Sequence, residues 1–104
     1  MQDDIAAINW KRINTALSFQ EPDQIPYFLN VNGPYIAGFA KVDLKEYYHS
    51  PEVMLNAQLA LRRRFNGMTP VIPDLSIAPE PSAFGAEIKW SADGTPWVIQ
   101  FIKD

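Results

Sequence analysis

Residues 50–67, SPEVMLNAQLALRRRFNG, form the one segment of this chain whose start, face and stop are all legible in the residues. Ser50 is a capping residue, Pro51 suits the first helical position, Glu52 faces the positive end of the dipole, and Gly67 suits the stop. These signals predict a helix over 51–66. Met54, Ala57, Leu61 and Phe65 recur every three or four residues as its apolar stripe, widened by Val53 and Leu55. The arginines at 62, 63 and 64 read as a solvated last turn that complements the dipole. The flanks of this helix constrain the fold most. Upstream, IPYFLNVN predicts a short strand over 25–31, with Pro26 near its start. Downstream, TPVIPDL predicts a second over 71–75, closing at Asp74. Strand, helical crossover and strand make a βαβ unit with parallel strands and a right-handed connection. Parallel strands are normally covered on both faces, and one such unit cannot close a sheet around itself. The expectation is therefore a piece of a larger α/β protein, or a chain that oligomerises or pairs with a longer complementary chain.

The remaining elements are weaker. Ile5, Ile8, Ile13, Ala16 and Leu17 approximate a helical stripe over 3–18, interrupted by Trp10 and Lys11. Asp43 and Glu46 have capping-box spacing, which predicts a short helix over 44–48. NGPY reads as a tight turn ending the first strand. IAPEPSAFG reads as a loop with one helical turn over 82–84. AEIKW and WVIQFI around Asp93-Gly94 predict a hairpin, with Trp90 and Trp97 as a cross-strand aromatic pair.

Composition narrows the chemistry. A net charge of −3 and a pI near 5.0 argue against affinity built on neutralising phosphates, so neither nucleic acid nor a membrane surface is expected as partner. No apolar run approaches the ~20 residues that span a bilayer, and the acidic first residues lack the basic character of a leader, which points to the cytoplasm. With no cysteine and one histidine, the chain offers no disulfide, no thiolate nucleophile and no metal cluster of its own. Its 104 residues read as a single segment.

In α/β architectures ligands gather beyond the carboxyl ends of parallel strands, where NVNGPY and PDLSIAPEP both fall. Asn30, Asn32, Tyr35 and Asp74 are thus candidates for one shared site, with Asp74 as the catalytic group and the other three as substrate-binding residues. Each also has a plainer use: Asp74 as a turn residue bonding its own backbone, the two asparagines as loop caps, Tyr35 as a buried ring after a tight turn. Glu80 reads as a solvated loop acid and His49 as a residue of the cap region.

The succession VNGPY, EYYHSPEVMLNAQLALRRRF and VIPDLSIAPEPSAFGAEIKW resembles the N-terminal third of the uroporphyrinogen decarboxylase family, which includes cobamide-dependent methyltransferases. The most specific part is Asp74 followed by AFGAEI. The resemblance implies an eight-stranded (β/α) barrel, of which this chain supplies the leading helix, two strands, the helix between them and a peripheral hairpin. Such barrels need ~250 residues, so the barrel is incomplete here. It further implies that Asp74 stands at the mouth of the second strand, where the decarboxylases use the matching aspartate to stabilise positive charge on a protonated pyrrole. The decarboxylases also carry two arginines after the first strand that pair with substrate carboxylates, whereas this chain has LNVNGPY there. That departure favours the methyltransferase branch, which works on a methylated corrinoid and a thiol or other acceptor and binds zinc through His and Cys later in the barrel. Corrinoid and zinc are then expected only in a complete assembly, and none bound by this chain alone. The alternatives are a true decarboxylase acting on a tetrapyrrole, and a non-catalytic α/β module that oligomerises or binds a partner.

Overall fold

A computed structural model describes residues 4–74, 76 and 78–100. It contains α1 (Ile5–Leu17), α2 (Gly33–Ala40), α3 (Leu44–His49), α4 (Pro51–Arg64), α5 (Pro79–Ala83), β1 (Glu87–Trp90) and β2 (Pro96–Gln100). The architecture is mixed α/β, with several helices and one two-stranded antiparallel sheet.

Side-chain caps set the helix starts. Asp4 accepts from the Ala7 amide at 3.2 Å, Asp43 from Glu46 at 3.0 Å and Ser50 from Val53 at 3.3 Å. Each satisfies one of the amides that a helix start leaves without an intrahelical partner. Ser50 also closes α3, so α3 and α4 meet at a single residue. Beyond Arg64 the chain turns through Asn66 and Gly67 at φ +50° and +82°, and the Gly67 amide donates back to the Arg62 carbonyl at 2.8 Å. That left-handed exit is why the helix stops at the asparagine-glycine pair. The C-terminal one-turn helix begins earlier than expected, at Pro79 rather than Ser82, because Pro79 is itself a favoured first-turn residue.

The segment NGPY corrects the sequence reading. It begins α2: the Asn32 side chain accepts from the Tyr35 amide at 3.2 Å, proline lies in the first turn, and Lys41 at φ +56° ends the helix. Asparagine two residues before proline is an N-cap signal as much as a turn signal. The buried core lies among three helices, with Ile36 and Ala37 of α2, Tyr47 of α3, and Ala57 and Leu61 of α4. Met54 and Phe65 pack against it, as the apolar stripe of α4 requires.

The two expected strands are a second correction. Residues 25–32 and 68–73 run without helix, the second with a bend at Thr69, and neither belongs to a strand ladder among the described residues. One backbone hydrogen bond joins them, from the Leu29 amide to the Met68 carbonyl at 3.0 Å. Pro26, Pro70 and Pro73 remove donors from both runs. Two buried carboxamides then take over the role of neighbouring strands. Asn9 of α1, 2% exposed, accepts from the Tyr27 amide at 3.0 Å and donates to the Tyr27 carbonyl. Gln58 of α4, 3% exposed, accepts from the Ile72 amide at 2.9 Å and donates to the Ile72 carbonyl at 2.8 Å. Both amides therefore satisfy one residue's donor and acceptor together, as a strand neighbour would. Leu75, at the end of the second expected strand, lies outside the described residues.

The buried face of α1 is rotated from the expected apolar stripe, of which Ile13 alone is partly covered. Ala6 and Asn9 are buried, whereas Ile5, Ile8 and Leu17 are exposed. An exposed fork from Arg12 to Asp23, 2.7 Å at both nitrogens, ties α1 to the turn after it. The radius of gyration is 17.3 Å, against about 13 Å for a compact chain of this length. Much apolar surface is left uncovered as a result. Among the described residues no helix is long and apolar enough to cross a membrane.

The hairpin pairs Ile88 with Val98, Lys89 with Trp97 and Trp90 with Pro96. Adjacent strand residues point to opposite faces, so Trp90 and Trp97 do not form the expected aromatic pair. Trp90 instead packs on His49, ring centroids 4.4 Å apart, and Trp97 is exposed. The hairpin loop docks on α3 at Gly94, φ +86°, where a Cβ would lie 2.7 Å from the Lys45 nitrogen. Gly85, φ +91°, has the same conformational demand but open space around it. Gly94→Ala should therefore destabilise by about 1–3 kcal/mol, and by more than Gly85→Ala, whose cost is backbone strain alone. Urea denaturation of the two variants checks this, and equal losses would show that the contact with α3 contributes nothing.

Candidate functional site

Asp74 follows the second extended run and is half-buried. Its Oδ2 accepts from the Tyr47 hydroxyl at 3.2 Å, and its Oδ1 accepts from the Ser76 amide at 3.3 Å in an Asx turn. The Tyr47 oxygen in turn accepts from Gln58 Nε2 at 3.1 Å. A continuous hydrogen-bonded line thus runs from the Ile72 backbone through Gln58 and Tyr47 to the Asp74 carboxylate. The turn role weighed for Asp74 in the sequence is present, and it occupies one carboxylate oxygen only.

Tyr47 is fully buried. Burial pushes its hydroxyl up to about 12; donation from Gln58 opposes the rise, and the nearby Asp74 charge adds to it. Burial, followed by the Asp74 charge, raises the Tyr48 hydroxyl as well. Gly33 at the start of α2 completes the surroundings. A Cβ there would collide with the Tyr48 hydroxyl and would lie 2.8 Å from Asp74 Oδ2.

Asp74 forms part of the wall of two cavities. The larger, about 310 Å³, is lined by Asn30, Val31, Asn32, Ile36, Gln58, Leu61, Pro70, Ile72, Pro73 and Asp74. It lies between the ends of the two extended runs and is at the small end of the range for small-molecule sites. The second, about 220 Å³, lies between α3, α5 and the hairpin, with Tyr48, His49, Ser76, Ser82 and Trp90 around Asp74. No lysine or arginine lines either cavity among the described residues.

The structure brings Asn30, Asn32 and Asp74 to the larger cavity. Tyr35 is not part of its wall; the ring is half-exposed, because its position on α2 turns it outward once NGPY becomes a helix start. The Asn32 oxygen is engaged in capping α2. Glu80 is exposed on α5. His49 closes α3, with Nδ1 2.6 Å from the Lys45 carbonyl and its ring on Trp90. Arg62 is bound to the Thr69 carbonyl at 2.5 Å, so one arginine of the run serves the fold rather than a solvated face. Two residues of the site were missed from sequence. Gln58 occupies a buried helix position that periodicity assigns to an apolar residue, and Tyr47 reads as half of an unremarked tyrosine pair.

A family model described as uroporphyrinogen decarboxylase matches residues 9–104. The chain belongs to the uroporphyrinogen decarboxylase family. Comparison with curated proteins and with solved structures gives no significant match. The family match spans both carboxamide clamps, the Tyr47 line and Asp74. From the stretch Leu29 to Tyr35 the cavity wall takes Asn30, Val31 and Asn32. The zinc chemistry of the methyltransferase branch does not fit the side chains present. The chain has no cysteine, and no three His, Asp or Glu side chains converge among the described residues.

The tyrosine geometry has a measurable consequence. Unfolded tyrosine ionises near 10, and folded Tyr47 at about 12. The stability tied to the protonated hydroxyl is full below pH ~10 and is lost as pH rises through about 12. The urea midpoint should therefore hold from neutral pH to about 10 and then fall. A midpoint unchanged up to pH ~12 would show that the hydroxyl is not held as the structure has it.

Proposed function

We propose that this chain is the ligand-facing corner of a (β/α)8 barrel of the uroporphyrinogen decarboxylase family, working on its corrinoid methyl-transfer side. The observation that carries the branch is the charge of the larger cavity, where Asp74 is the one ionisable group among the lining residues. A substrate bearing many carboxylates needs cationic, preferably bidentate, partners. Here it would meet amides and a carboxylate. Supporting the barrel are two adjacent runs separated by α2–α4, with the cavity lined by residues 30–32 of the first and by Pro70, Ile72, Pro73 and Asp74 of the second.

In this reading the other strands come from this polypeptide or from another chain, and Asp74 stabilises positive charge that develops on a ligand at the barrel mouth. A fixed carboxylate there lowers the energy of a cationic transition state more than that of a neutral ground state. Asn30 lines the same space. Zinc ligands, where the reaction uses zinc, come from outside the described residues. The acidic, cysteine-free composition accords with a cytoplasmic setting. A second reading, a non-catalytic module that pairs with its own copy or a partner, is favoured by the uncovered apolar side chains of Phe19 and Ile25, 100% and 89% exposed.

Titration of the purified chain with hydroxocobalamin and with an octacarboxylic porphyrin, followed by quenching of tryptophan fluorescence, separates these readings. The corrinoid should bind more tightly. Asp74→Asn should weaken it about ten-fold, or ~1.4 kcal/mol, with the urea midpoint nearly unchanged. Tighter binding of the porphyrin would assign the decarboxylase branch. Absence of binding to either, together with a stable dimer in light scattering, would assign the module.

A further inference from the structure

Asp74 follows a short run with no strand on its far side among the described residues, so strand pairing does not fix its carboxylate. The side chains around it supply that constraint. Tyr47 donates to Oδ2 at 3.2 Å from a fully buried position, and Gln58 holds the Tyr47 oxygen at 3.1 Å. The same Gln58 grips both backbone groups of Ile72, two residues before Asp74. On the other side Gly33 leaves no more room than its missing side chain provides, since a Cβ would lie 2.8 Å from Oδ2. The Met54 sulfur accepts from the Asp74 amide at 3.4 Å. Backbone and carboxylate are thus referenced to α3 and α4 rather than to a sheet.

We propose that Tyr47 and Gln58 are positioning residues for Asp74: they hold its carboxylate in one rotamer at the cavity wall, so that one oxygen meets the ligand at a fixed place. The idea rests on the reading of Asp74 as the ligand-facing group. A carboxylate preorganised in this way does not have to reorient when charge develops beside it, and that is the condition under which electrostatic stabilisation of a transition state is large. Tyr47 suits the task because its hydroxyl stays protonated across the working pH range and so always donates. Gln58 occupies the acceptor side of that hydroxyl, which leaves its hydrogen committed to Asp74. The Ser76 amide donates to the other carboxylate oxygen at 3.3 Å.

At 11.8 kDa the intact chain suits measurement of the three-bond couplings that report the χ1 rotamer of Asp74. Wild type should show the couplings of one staggered rotamer, and Tyr47→Phe should show averaged values while remaining folded. Gln58→Glu is the second variant, because its new carboxylate competes for the tyrosine hydrogen and should release Asp74 in the same way. Averaged couplings in wild type, or single-rotamer couplings in either folded variant, overturn the proposal. A purely structural Tyr47 would lower the urea midpoint without altering those couplings. Affinity for hydroxocobalamin answers the separate functional question. Failure of wild type to bind it removes the corrinoid reading, whereas the couplings alone decide the positioning role.

Discussion

Two carboxamides carry the structural problem of this chain. Two extended runs with three prolines between them cannot satisfy their backbone by pairing alone, and an unmet buried amide or carbonyl costs as much as a lost hydrogen bond. Asn9 and Gln58 each close one residue's donor and acceptor from a neighbouring helix. A carboxamide can do both at once because its oxygen accepts and its nitrogen donates from separate atoms. Tyr27 and Leu29 lie two apart in extended backbone and share an edge, so Asn9 and the Leu29–Met68 bond work on the same side of the first run. The opposite edge, with the backbone groups of Phe28 and Asn30, has no backbone partner among the described residues. This is the edge at which a further strand of a family barrel would pair.

Legibility in the sequence followed the physics of each signal. Capping is local, and so Asp43, Ser50 and the stop at Gly67 were readable from neighbouring residues, although the helix ends at Arg64 and Asn66, expected inside it, is already left-handed. The stripe of α4 was readable because its burial is repeated along the helix. The α1 stripe was misleading for the same reason: periodicity shows which residues share a face, but which face meets this chain's own core depends on what else is present. Burial of Ala6 and Asn9 against exposure of Ile8 rotates the covered face away from the expected stripe. Strand propensity over 25–31 marked a run that is neither helix nor strand in the structure. It could not show that a ladder would be absent, since a ladder belongs to a pair of segments and not to either one.

The site divides along the same line. Asp74 stood out through its proline-rich context and its family motif, and Asn30 and Asn32 by their place after the first run. Tyr35 was displaced by a single change of interpretation, from a turn at NGPY to a helix start. The tyrosine-glutamine line was invisible because Tyr47 is 27 residues from Asp74 and Gln58 is 14 from Ile72. Nothing within a local window signals such contacts. Gly33 likewise has an ordinary local reason, a helix start, and a non-local one, the space taken by Tyr48 and Asp74, and only the second explains why a side chain would not fit.

Asp74 borders both cavities, and one charge therefore serves two compartments. A cationic occupant that neutralises the carboxylate from one side removes the attraction felt on the other. By thermodynamic linkage the penalty is mutual and equal in both directions, whichever arrives first. The space beneath the hairpin is thus in electrostatic communication with the larger cavity without any movement of the backbone, and the sign of that communication between cations is antagonistic.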